Sequence, residues 1–215
     1  VGEMPLSVRF NASDFLTGGI ELTEGIEIAK RLEQAGVNAL SISSGMYESG
    51  LTSIESISYP EGWRVYLAEA VKKAVRIPVI TGGVIRSPKY AETVLREGKA
   101  DFVFIGRGLL ADPDWPSKAR AGQMGDIRPC VSCNTCINRD FMGLRIRCAV
   151  NPYTGREAQF KPQKTEKPKS ICIVGAGPAG MQAAISLARK GHWVELIEKS
   201  DRLGGLVNVA QLPTH

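Results

Sequence analysis

Three observations predict an α/β protein with parallel sheets. Apolar runs rich in β-branched residues alternate with amphipathic stretches of helical period through the first 120 residues. Near the C-terminal end, a further apolar run enters a glycine-rich turn and then another helix. Between the two lies a segment that carries four of the five cysteines, followed by a polar stretch bearing prolines and lysines.

The first part holds four strand–helix units. The strand-like runs are residues 6–10, 39–43, 78–81 and 102–105, with helical stretches near 23–35, 62–75 and 89–97. Thr23, placed before Glu24 and Glu27, is the expected N-cap of the first helix, and Gly36 and Gly98 are the expected stops. Four such units make either half of a (β/α)8 barrel or a short open sheet. The segments just after the strands are Ser44-Gly45-Met46, Thr81-Gly82-Gly83 and Gly106-Arg107-Gly108. Barrel enzymes build their sites on those loops, and the last two strands commonly hold a phosphate. Gly82, Gly83 and Gly106 would let backbone amides approach phosphate oxygens, and Arg107 would pair with the charge. The alternative is that these glycines only turn the chain; two glycine sites at the ends of successive strands favour phosphate.

An exit through Asp112-Pro113-Asp114-Trp115-Pro116 leads to the cysteine segment. Cys130, Cys133, Cys136 and Cys148 are spaced C-x2-C-x2-C-x11-C. Three thiolates two residues apart can wrap one face of an iron–sulfur cubane, with the fourth arriving from a distance. Zinc more often takes two well-separated pairs, and free or disulfide-bonded cysteines are a third possibility. The spacing favours [4Fe–4S]. Gly143, Asn134 and Asn138 suit tight turns around it. Cys172, inside an apolar strand, is expected to be a core residue. Clustered cysteines imply a reducing compartment, hence a cytoplasmic location. No apolar run approaches the length of a membrane helix, and no secretory leader opens the chain. A net charge of +5 with no basic, aromatic-bearing face argues against nucleic acid. The lysines around Lys161–Lys169, with Pro162 and Pro168, read as a solvated linker.

Residues 170–174 form a buried-type strand that runs into Gly175-Ala176-Gly177-Pro178-Ala179-Gly180 and a helix near 181–190. A second strand, 193–197, ends in Glu198. Gly175 would permit the tight turn, Gly177 the approach of a pyrophosphate, and Gly180 close helix packing. Glu198 stands where a carboxylate accepts both ribose hydroxyls and disfavours a 2′-phosphate, so FAD or NAD is expected over NADP. Gly204-Gly205 suits a further close approach. His192 is expected at the surface or in packing, and His215 carries no signal.

These residues resemble the iron–sulfur branch of the old yellow enzyme family, whose members include 2,4-dienoyl-CoA reductases and trimethylamine dehydrogenases. The resemblance rests on ITGGVIRSPKYAE, FVFIGRGLLADPDWP, RPCVSCNTC…RCAVNP and ICIVGAGPAG…LIEK…LGG, and covers essentially the whole chain. It implies FMN at the barrel mouth, with Arg9 against the isoalloxazine and Gly82, Gly83, Gly106 and Arg107 at its phosphate. It implies a [4Fe–4S] cluster on the four cysteines, and FAD on residues 175–180, Glu198, Lys199 and Gly205. Electrons would pass from NAD(P)H through FAD, cluster and FMN to an activated C=C bond of an unsaturated carbonyl or thioester. An amine dehydrogenase, or an electron-transfer module without its own substrate, is the alternative. In one departure, Tyr47 stands where the dienoyl-CoA reductase carries a histidine, so it is the candidate proton donor or a pocket wall. The family's main proton donor belongs to a first barrel half that is absent here. The chain opens on Val1 and stops at His215, and is expected to be a piece of a longer enzyme, inactive alone. The expected parts are residues 1–122 (second half of the barrel), 123–155 (cluster segment), 156–169 (linker) and 170–215 (opening of a Rossmann-like domain).

Overall fold

The computed structural model describes residues 4–160 and 163–210; Lys161, Pro162 and His215 lie outside them. The chain divides into two compact units, Val1–Gly155 and Arg156–His215.

In the first unit, strands β1 (Ser7–Asn11), β2 (Ala39–Ser43), β3 (Val79–Thr81) and β4 (Phe102–Val103) pair in parallel, in sequence order. Helices α1 (Leu22–Gln34), α2 (Val65–Lys72) and α3 (Pro88–Arg96) make the crossovers. Since each strand bonds to the next in sequence, the sheet has no point where strand order reverses. In a parallel sheet the loops at the strands' C-terminal ends are the common place for a site. In register, Val8 stands beside Leu40 and Phe10 beside Ile42, which keeps one apolar face in phase from strand to strand. That face packs on α1 and α2 through Ala29, Leu40, Leu67, Ala68, Val71 and Val79, all buried. Each large side chain among them contributes roughly 1.5–3 kcal/mol on leaving water.

Several boundaries differ from the sequence pattern. Helix α1 begins at Leu22 with Glu21 at the cap position and no side-chain cap bond, so Thr23 lies inside the first turn rather than capping it. Packing sets this start: Gly25 lies so near the Ala12 backbone that a Cβ there would come within 2.4 Å of the Ala12 carbonyl oxygen. The expected stops are observed, with φ of +91° at Gly36 and +67° at Gly98. Helix α3 is capped by Ser87, whose hydroxyl accepts from the Tyr90 N–H at 3.2 Å. Strand β4 is two residues long, because the chain turns after Ile105 into a five-residue helix, α4 (Arg107–Ala111), where a loop was expected. Helices α5 (Trp115–Arg120) and α6 (Thr135–Phe141) follow. Asn138 lies within α6 rather than in a turn.

In the second unit, β5 (Ser170–Val174) and β6 (Trp193–Ile197) pair in parallel around helix α7 (Pro178–Arg189). Ile171 and Ile173 are half-buried, with Ile173 near Gly180 of the helix. Cys172 points to the opposite face and is exposed, so it is not the core residue expected. Alternation along a strand places it there, and α7 covers one face only. His192 accepts from the Lys169 N–H at 3.2 Å through Nδ1, a packing role. Among the described residues no helix is long and apolar enough to cross a membrane.

The passage from the sheet to the cysteine segment is pinned by Asp112. Its buried carboxylate accepts from Lys118 Nζ at 2.6 Å and from the N–H groups of Arg128 at 2.9 Å and Asp114 at 3.1 Å. Burial alone would raise its pKa; the Lys118 ammonium and the two N–H donors outweigh that and hold the carboxyl below its ordinary value. Stability from this group is therefore complete above the ordinary carboxylate pKa and is lost as pH falls through the depressed one. Asp112→Asn is expected to cost about 2 kcal/mol at neutral pH. In thermal unfolding, its deficit against the parent should close as the pH is lowered through the acid range.

Candidate functional site

A cleft of about 190 Å³ opens at the C-terminal ends of β3 and β4, with Gly83, Arg86, Gly106, Arg107, Cys130 and Ser132 among its walls. The loop glycines are there for different reasons. A Cβ on Gly82 would fall 2.4 Å from the Phe104 ring, and one on Gly83, at φ +98°, 2.0 Å from Arg64 Nε. Side chains packed on them thus exclude any larger residue. Gly106 has open space where its Cβ would be, so its backbone is free to approach a ligand. Val84 in the same loop holds φ +54°, an unfavourable conformation for a β-branched residue and one that concentrates at ligand-binding turns.

Charge surrounds this cleft. Glu55, only 2% exposed, accepts from Arg107 Nη2 at 2.9 Å, from Trp63 Nε1 at 3.2 Å, and pairs with Arg64 Nη1 at 3.3 Å. Its carbonyl accepts from Arg107 Nη1 at 2.6 Å. Arg64 also donates to the Gly82 carbonyl and to the Ser44 hydroxyl, each at 3.1 Å. Burial pushes the Arg64 pKa down, Glu55 opposes that, and the positive charges of Arg9 and Arg107 add to the lowering. Arg9 itself lies 4.5 Å over the ring of Phe104, a residue of the cleft wall. In the cleft wall Arg64, Arg86 and Arg107 thus outnumber the one carboxylate, Glu55. Such a site favours an anion with several acceptor oxygens.

The cysteine turn lies against the same cleft. Ser132 and Asn134, between Cys130 and Cys136, adopt left-handed φ of +48° and +56°. The Ser132 N–H donates to Cys130 Sγ at 3.4 Å. Cys133 Sγ lies 3.3 Å from the Thr135 hydroxyl, which with nearby backbone N–H groups lowers its pKa. Burial raises the pKa of Cys136, opposed by the Ile137 N–H and reinforced by neighbouring Cys130. Among the described residues no three Cys, His, Asp or Glu side chains are gathered as ligands of one metal ion. A cubane asks for something different, since its thiolates sit on separate iron corners rather than around one centre. Of its four thiolates, Cys130 lies near enough to Cys136 to act on it electrostatically, and the Ser132 N–H already donates to Cys130 Sγ. Cys148 is half-buried. Beyond it, Asn151 and Thr154 bond the Leu110 carbonyl at 3.0 and 2.8 Å, tying the segment to α4. Tyr47 is 80% exposed, its ring 6.2 Å from that of Phe141 of α6.

In the second unit, Gly175 holds φ +95°, and a Cβ on Gly180 would fall 1.9 Å from the Gly175 carbonyl oxygen. The helix therefore packs directly on the turn. Gly177 caps α7 with nothing where its Cβ would be, and Pro178 and Ala179 open the helix. Glu198 accepts from the Ala176 N–H at 2.7 Å and the Ser200 N–H at 3.1 Å, and these bonds lower its pKa. The loop beyond Lys199 folds back, with Gly204 N–H donating to the Ala176 carbonyl at 2.8 Å and Gly205 close to Gly177.

Residues 1–125 match the NADH:flavin oxidoreductase / NADH oxidase family model, more than half of the chain. The chain belongs to this family. Residues 170–214 match the FAD dependent oxidoreductase family. Its relatives in the NADH:flavin oxidoreductase family include an NADH oxidase of Thermoanaerobacter brockii, 54% identical over 98% of the chain and 33% of that protein. A dimethylamine dehydrogenase of Hyphomicrobium sp. is 35% identical over 94% of the chain and 29% of that protein. A solved complex of 2-naphthoyl-CoA reductase with 2-naphthoyl-CoA superposes at a TM-score of 0.88, 35% identical, covering 94% of this chain and 31% of that one. The chain thus spans about a third of the length of the relatives it matches.

Glu55, Arg64 and Arg86 escaped the sequence reading of this chain. They sit in irregular or loop segments where no spacing marks them. The one available signal was a run of charges at positions 55, 61 and 64 inside a stretch otherwise read as loop and helix. Removal of Glu55 would leave Arg64 and Arg107 unpaired in a shielded site. Glu55→Ala is expected to destabilise the first unit by about 3–5 kcal/mol, and Glu55→Gln by less; urea midpoints of the two variants check the order.

Proposed function

We propose that the chain is the flavin-phosphate side, cluster segment and FAD-domain opening of an NAD(P)H-dependent reductase of activated C=C bonds. The observation that carries this reading is the arginine-ringed cleft whose wall includes both the strand-end loops and Cys130. On this reading residues 1–122 are the second half of a (β/α)8 barrel, 123–155 the cluster segment, 156–169 a linker and 170–215 the start of a Rossmann-like domain. Gly83, Gly106 and Arg107 hold the FMN phosphate, with Gly82 shaping the loop and Arg9 beside the isoalloxazine. Cys130, Cys133, Cys136 and Cys148 ligate a [4Fe–4S] cluster. Residues 175–180 take the FAD pyrophosphate; Glu198, Lys199 and Gly205 border its adenosine side.

When bound, these groups supply hydride acceptance from NAD(P)H, one-electron relay and hydride delivery to the substrate. The chain's own residues position and shield. Arg64 and Arg107, anchored by Glu55, hold fixed positive charge against the phosphate. The Thr135 hydroxyl and the backbone N–H groups near Cys133 favour its thiolate, and the Ser132 N–H on Cys130 Sγ is a donor that a cluster ligand would keep. Tyr47, exposed in the loop after β2, is the residue that would hold a proton for an unsaturated carbonyl or thioester. Glu198 supports FAD through its position, since a carboxylate there repels a 2′-phosphate.

A second reading, an amine dehydrogenase, is favoured by the dimethylamine dehydrogenase relative. An anaerobic titration of the full-length enzyme separates the two. About four iron and four sulfide per chain are expected, with flavin bleaching by NADH and recovery on adding an enone or enoyl thioester. Bleaching by a secondary amine instead of NADH would select the dehydrogenase. Protein isolated without oxygen that holds zinc and no flavin would overturn both.

A further inference from the structure

We propose that Arg86 is a second phosphate ligand of the cleft, and that its guanidinium couples phosphate binding to the cysteine turn. The inference rests on the flavin-phosphate reading above. Arg86 lies in the loop after β3 and lines the cleft beside Gly83, Gly106 and Arg107. Its Nη2 donates to the Tyr59 carbonyl at 3.3 Å and to the Ser132 hydroxyl at 3.2 Å. Its Nε is buried and has no hydrogen-bond partner among the described residues. A buried, charged N–H without an acceptor is costly, and a native structure rarely leaves one unused. A phosphate oxygen in the cleft is the acceptor this donor lacks, and a guanidinium can serve it while keeping the bond to Ser132, because its five donors point in a fixed fork.

The bond to Ser132 has a consequence for the cysteines. Ser132 is buried, stands between Cys130 and Cys133, and holds a left-handed φ of +48° that its own side chain does not favour. Arg107 reaches the same turn from the next loop, donating to the Asn134 side chain. Each left-handed residue of the turn is therefore gripped by an arginine from a strand-end loop. An anion that fixes the arginines fixes the turn, and a turn held by its metal cluster preorganises the arginines in return. Such coupling is reciprocal by linkage.

The test uses the full-length enzyme stripped of FMN, with FMN and riboflavin as paired probes. Arg86→Gln is expected to weaken FMN binding at least about tenfold, the effect of one charge-assisted hydrogen bond, while riboflavin affinity stays within about twofold. In the parent, saturating FMN should slow iron loss to a chelator about fivefold or more, the low end for coupled sites. That protection should vanish in Arg86→Gln and in Ser132→Ala, the latter losing only the coupling's share of FMN affinity, about fivefold and less than Arg86→Gln loses. Arg86→Lys, which keeps the charge but not the fork, serves if the glutamine variant does not fold. Equal losses for FMN and riboflavin, or undiminished FMN protection of iron in Ser132→Ala, would overturn the inference. Failure of every protein to bind FMN would overturn the flavin reading along with it.

Discussion

The first unit is organised around one carboxylate buried between two arginines. Glu55 takes Arg64 and Arg107 on its side chain, and its carbonyl takes Arg107 again together with the Asn134 amide at 3.3 Å. One residue thereby joins the segment before α2, the start of α4 and the cysteine turn. Burying such ions is expensive, and well-packed apolar residues could stabilise the fold as well. Apolar residues could not leave donors over. Each guanidinium has five, and Glu55 occupies a minority of them, so the pairs fix the arginines in place while leaving the cleft cationic.

That arrangement explains what could be read from the chain and what could not. The four strands and three crossover helices were legible because burial imposes their periods. Leu40, Leu67 and Val79 are buried for reasons the pattern records directly. The ends of elements were less legible. Thr23 has the chemistry of a cap, yet α1 starts earlier because Gly25 must lie on the Ala12 backbone, a tertiary contact that no local rule contains. Cys172 was misread for a related reason: an apolar strand implies a buried residue only if both faces are covered.

The site shows the same division. Arg107, the cysteines and the glycine turn announce themselves by motif, since their chemistry demands fixed spacing. Glu55, Arg64 and Arg86 act through space, from irregular segments, and any of them could stand a residue away with a different loop. The glycines make the point sharply. Gly82 is small because Phe104 presses on it, and Gly83 because Arg64 does although its backbone still lines the cleft, whereas Gly106 and Gly177 have nothing where a Cβ would stand. The letters are identical; only the surroundings separate a packing glycine from one that leaves room for a ligand.

The two units use different physics for the anions proposed for them. The first relies on side-chain cations, and the second on backbone amides at the start of α7, with one carboxylate, Glu198, bonded to the Ala176 N–H. The difference follows from the ligands. A terminal phosphate is a compact dianion with three free oxygens, and forked guanidinium donors match its charge density. A pyrophosphate bridge lies between two nucleosides, with its charge spread along a linker that must pass close to the chain. There a glycine backbone and a helix dipole give access that bulky arginines would block. Arginines therefore suit the terminal phosphate proposed for the first unit, and bare glycine the pyrophosphate proposed for the second.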